Sequence, residues 1–102
     1  MLKTVTIEGQ EICLATITVG ALEEIELADK KGRKFNIALV AASLRAAGDK
    51  ERGTEAWVLT LPAFDPAGGV PAFRLLIQAA NEVNGLREPE PGEKGPAAPA
   101  GA

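Results

Sequence analysis

Polar and apolar residues alternate near the start of the chain, through Thr4-Val5-Thr6-Ile7-Glu8, and a β-branched, apolar run follows from Ile12 to Ile17. A period of two marks a half-buried strand. Gly9-Gln10 lies between the runs, and glycine at the first central position suits a type II′ hairpin turn. With that loop, Glu8 faces Glu11, Ile7 faces Ile12, Thr6 faces Cys13 and Val5 faces Leu14. Val5, Ile7, Ile12 and Leu14 then share the core face, while Thr6 and Cys13 point outward or toward a partner.

Beyond Ile17 the period becomes helical. Thr18 suits an N-cap, Leu22, Ile25 and Ala28 form a narrow apolar stripe, and Lys30-Lys31-Gly32 reads as a stop. In a second helix Asn36 is the expected N-cap, with Phe35 stapled onto Val40. Its apolar residues fall on two stripes, Ile37, Val40, Ala41 and Leu44 on one and Ala38, Leu39, Ala42 and Ala46 on the other, before Gly48 ends it. A helix apolar on nearly all sides is buried by its own fold or by a partner. This one carries more apolar surface than a hairpin and two short helices are expected to cover, which predicts weak self-association.

A charged loop, residues 49–55, leads to Ala56-Trp57-Val58-Leu59-Thr60-Leu61, read as a short strand or extended segment with Trp57, Leu59 and Leu61 on one side. Pro62 to Gly69 is a turn-rich loop. The last helix starts near Pro71, carries Phe73, Leu76, Ile77, Ala80 and Val83 at helical spacing, and closes at Asn84-Gly85-Leu86 in the pattern of a Schellman cap. The expected fold is therefore α+β: an N-terminal β-hairpin over about residues 3–17, packed on about three α-helices. Residues 1–87 form its single domain, and residues 88–102 a Pro/Gly/Ala-rich tail expected to be disordered.

Composition narrows the function. The 102 residues include no His and no Tyr, and the net charge of −3 argues against nucleic-acid binding. Ser43, the one serine, sits in an apolar helix without a base and is expected to bond back to its own backbone. Cys13 has no cation near it in sequence, and reads as a small half-buried apolar residue. Glu23, Glu24 and Glu26 read as a solvated helix face. No catalytic residue, metal or other cofactor is expected, no signal peptide opens the chain, and no apolar stretch is long enough for a bilayer span. Binding to another protein is the expected activity, with Leu39, Trp57 and Phe64 as candidate contact residues.

Three stretches support a more specific expectation: residues 14–25 (LATITVGALEEI), residues 41–48 (AASLRAAG) and residues 79–86 (AANEVNGL). In this order, and behind an N-terminal hairpin, they resemble the tail assembly chaperones of long-tailed bacteriophages over about residues 3–86. The resemblance implies a small, mostly helical protein of the infected bacterial cytoplasm. Such proteins coat the aggregation-prone tape-measure protein during tail assembly and are absent from the finished virion. In that family a translational frameshift near the gene's end often adds a second domain. Two other classes fit the residues: a structural tail or connector subunit, and a small accessory subunit of a bacterial protein complex.

Overall fold

The computed structural model describes residues 2–86. Strands β1 (Leu2–Ile7) and β2 (Gln10–Ala15) form an antiparallel hairpin, followed by helices α1 (Val19–Leu27), α2 (Arg33–Ala46), α3 (Glu55–Val58) and α4 (Ala72–Val83). This is the α+β arrangement expected from the sequence, with one additional short helix. The tail assigned to residues 88–102 lies outside the described residues.

The hairpin keeps its predicted faces with a different turn. Ile12 and Leu14 are buried, Val5 and Ile7 pack against the same core, and Cys13 is half-buried on the opposite face. The loop, however, is Glu8-Gly9, both with positive φ (51° and 80°), the pattern of a type I′ turn. Val5 therefore faces Ile12, Thr4 faces Cys13 and Lys3 faces Leu14. Each β1 residue meets a partner two positions away from the one predicted, an even shift that leaves every side chain on its face. Type I′ geometry follows the right-handed twist of the strands, and Gly9 serves it at the second central position instead of the first. Glu8, by contrast, is a poor residue for positive φ. Glu8→Asn should raise stability by about 0.5–1 kcal/mol, read from the urea midpoint at unchanged slope; an unchanged or lowered midpoint would contradict the turn assignment.

Thr18 caps α1 as expected, its Oγ1 accepting from the Ala21 N–H at 3.1 Å. The helix then stops at Leu27, and Asp29 takes the left-handed conformation (φ 55°). Gly32 does not end α1 but opens α2, with φ 61° and ψ −129°, a conformation that glycine reaches without Cβ strain. Asn36 is consequently not the cap; it lies in the first turn, its N–H bonded to the Gly32 carbonyl at 3.1 Å. At the far end Gly48 (φ 94°) closes a Schellman motif, with Asp49 N–H on Leu44 O (3.0 Å) and Gly48 N–H on Arg45 O (2.9 Å).

Helix α2 is the centre of the molecule. The hairpin strand β2 and helices α1, α3 and α4 all pack on it, and every residue from Ala38 to Leu44 is buried. The expectation that α2 leaves apolar surface open is thus corrected: Leu39 and Val40 are only 1% and 0% exposed. With them goes the ground for self-association through this helix.

The segment 56–61 is not a strand. Thr54 caps α3 by accepting the Trp57 N–H at 3.1 Å, and Leu61 N–H closes back on Val58 O. A lone extended segment would have left its backbone groups without partners, and a single helical turn satisfies them locally. Helical geometry buries Val58, leaves Trp57 half-buried at the edge of the core and turns Leu59 outward. Helix α4 follows Pro71, which occupies the N-cap position, and ends in the predicted Schellman cap, with Leu86 N–H on Asn81 O at 2.6 Å and Gly85 at φ 74°.

Candidate docking groove

The loop from Pro62 to Pro71 is held by its own polar groups. Asp65 Oδ1 accepts from the Ala67 N–H (2.9 Å), and Gly68 N–H donates to the Asp65 carbonyl (2.9 Å). A Cβ at Gly69 would lie 2.7 Å from Asp65 Oδ2, so a side chain there would displace the Asp65 carboxylate. This fold of the loop presents Phe64 almost fully to solvent, at 83% exposure. Leu59, at 67% exposure, projects from the end of α3.

Phe64 and Leu59 stand on the lip of an open groove of about 790 Å³. It is lined by the N-terminal halves of α2, with Arg33, Asn36 and Ile37, and of α4, with Phe73, Arg74 and Ile77. Val58 and Leu61 also line it, and the half-buried Ile37, Phe73 and Ile77 belong to the edge of the core. The polar lining comprises the two guanidinium groups and the neutral Asn36 and Gln78; among the described residues no carboxylate lines it. Neither arginine forms an ion pair among the described residues, nor do Lys34, Arg45 and Lys50, whereas Lys3 pairs with Glu82 (2.8 Å), Lys30 with Glu55, and Arg52 with Asp49 (2.9 Å).

Of the three residues named from the sequence, Phe64 alone lines this groove. Leu39 is a core residue, 1% exposed; it touches a second depression of about 330 Å³ beside Thr16, Ile17 and Val19, on another part of the surface. Its candidacy as a contact residue is therefore corrected. Trp57 packs half-buried against the core, outside the groove lining. The sequence reading missed Leu59, which an extended segment would have placed beside Trp57, and it missed Arg33 and Arg74, which only the fold brings to one groove.

Ser43 also differs from expectation. Its buried hydroxyl accepts the Asn84 side-chain amide, Nδ2 to Oγ at 3.0 Å, and so bridges α2 to α4. Cys13 Sγ lies 3.5 Å from Thr4 Oγ1 on the outer face of the hairpin. Glu23, Glu24 and Glu26 are exposed, and among the described residues no group of three His, Cys, Asp or Glu side chains is placed to hold a metal ion. No helix among the described residues is long and apolar enough to cross a membrane.

Fold and groove together define a small α+β scaffold with an open groove lined, among the described residues, by apolar and polar side chains, with two arginines and no carboxylate. Comparison with models of protein families, with characterised proteins and with solved structures returns no match.

Proposed function

We propose that this chain is a tail assembly chaperone of a phage or prophage, which binds the tape-measure protein through the groove beneath Phe64 and keeps it soluble while the tail is built. The exposed Phe64 and Leu59 carry this reading, because unlike the exposed Leu2, Val19 and Leu27 they line a groove together with Ile37, Phe73 and Ile77. The order of hairpin, helices and glycine stops along residues 3–86, which resembles that family, supports the specific partner. Docking, not catalysis, is the activity, and it needs no cofactor. It takes place in the bacterial cytoplasm, and the protein is not retained in the finished virion.

The physics suits a coat that must later be shed. Covering apolar stretches of a long chain removes the surface through which it would aggregate. Burying a large side chain contributes about 1.5–3 kcal/mol, and association costs at least about 4 kcal/mol in lost freedom, so a few anchors give weak, reversible contact.

The test is co-expression with the tape-measure protein of the same phage or prophage genome, scored by soluble yield. Wild-type chain should raise that yield several-fold. Phe64→Asp should return it to background without moving the chain's own melting temperature, since Phe64 is outside the core. No rise with the wild type would remove the chaperone reading; a full rise with Phe64→Asp would remove the groove as its site.

A further inference from the structure

We infer that the groove selects apolar segments flanked by carboxylates, so that the favoured stretches of the partner are acidic and amphipathic. This deepens the docking reading above and rests on it. The chain as a whole is acidic, with 14 Asp and Glu against 11 Lys and Arg. The groove departs from that balance, with Arg33 of α2 and Arg74 of α4 both lining it and no carboxylate among its described lining residues. Both arginines are without an ion pair among the described residues, as are Lys34, Arg45 and Lys50, and of these five only Arg33 and Arg74 line the groove.

Placement sharpens the contrast. Arg33 is the first residue of α2 and Arg74 the third of α4, and neither first turn carries an acidic residue. A cation in the first turn opposes the helix dipole, so both positions are electrostatically unfavourable in the unbound chain. An incoming carboxylate relieves this and offers each guanidinium a planar, two-oxygen acceptor. A free inorganic anion would meet the arginines and leave Phe64 and Leu59 uncovered; a purely apolar segment would do the reverse. A segment with apolar side chains on one face and Asp or Glu beside them satisfies both, and matches the helix-in-groove mode of peptide recognition.

Three labelled peptides test this on the full chain by fluorescence anisotropy. They share one leucine face at helical spacing and differ only in its flanks, which carry Glu, Gln or Lys. The Glu peptide should bind at least ~10-fold tighter than the Lys peptide, with Gln between and the gap narrowing as salt rises. Arg33→Glu/Arg74→Glu should invert the order, and Phe64→Asp should weaken all three. Should the double variant fail to fold, judged by its circular dichroism, Arg74→Gln must show a reduced Glu-over-Lys ratio in its place. Equal affinity for the three peptides, or an order unchanged by the arginine variants, overturns the acidic preference. If Phe64→Asp still weakens binding in that case, the docking groove itself stands. Absence of binding by any peptide, or binding indifferent to Phe64→Asp, overturns the groove reading along with the preference.

Discussion

Asn84→Ala should lower the melting temperature by roughly 10–20 °C, an effect far larger than its half-buried position suggests. Its amide group joins three parts of the fold. Nδ2 donates to Ser43 Oγ on α2 (3.0 Å) and to the Ala80 carbonyl of its own helix (2.8 Å), while Oδ1 accepts the Ile17 N–H (2.9 Å) from the connection between β2 and α1. Thr16 Oγ1 adds a neighbouring bond to the Val83 carbonyl at 2.6 Å. Alanine removes all three Asn84 bonds and leaves the Ser43 hydroxyl without its partner in the core. At about 0.5–1.5 kcal/mol for each bond lost, and more where a buried group is stranded, the cost is about 2–4 kcal/mol. A double-mutant cycle isolates the bridge: Ser43→Ala should cost little in the Asn84→Ala background and about 1 kcal/mol in the wild type. A loss below about 1 kcal/mol for Asn84→Ala, measured by urea unfolding, would show that the bridge is not made in solution.

Gly53→Ala should cost about 2–3 kcal/mol, although residues 49–55 read from the sequence as a solvated charged loop. Gly53 is buried against the last turn of α2. A Cβ there would lie 2.3 Å from Arg45 Cγ, 2.7 Å from Asp49 O and 2.8 Å from Arg45 N. The side chain of Arg45 could swing aside, but Arg45 N is fixed in the last turn of α2, and Asp49 O is held by the Schellman closure that follows it. Relief by displacement would also break the bonds that close this loop: Arg45 guanidinium to Gly53 O (2.6 Å), Gly53 N–H to Asp49 O (2.9 Å), and Arg52 to both Asp49 oxygens (3.1 and 2.9 Å). Adding Arg45→Ala should therefore fail to rescue the variant. A Gly53→Ala protein within about 0.5 kcal/mol of wild type would mean that the loop packs otherwise.

Residue parity and helix punctuation were legible in the sequence. Strand alternation placed Val5, Ile7, Ile12 and Leu14 on the buried face even under the wrong turn, because an even shift in pairing does not turn a strand over. Thr18, Gly48 and Asn84-Gly85-Leu86 marked helix ends through chemistry confined to a few neighbouring residues. Features that depend on distant partners were not legible. Gly32 is equally suited to ending one helix and opening the next, and its role is decided by Asp29 stopping α1 first. The β-prone run Ala56–Leu61 opens instead with a single helical turn, which the Thr54 side chain caps and which joins no sheet. For α2, the stripes show that it is apolar all round but not that four other elements cover it, which is why the burial of Leu39 is not legible in them. Of the groove, Phe64 could be read from its Pro/Gly loop, while Arg33 and Arg74 belong to separate helices that only packing brings together.

The bridge between residues 16–17 and residues 83–84 also orders events during synthesis. Sixty-seven positions separate Ile17 from Asn84, so the hairpin is sealed by a helix made well after it, the last among the described residues. Contacts of that span form late, because the loop between them must close before they contribute. While α4 is still inside the ribosome, the inward face of the hairpin and the apolar flank of α2 have no cover from it. A nascent chain of this protein therefore passes through a stage in which it exposes the kind of surface that, on the proposed reading, its finished form shields on another chain.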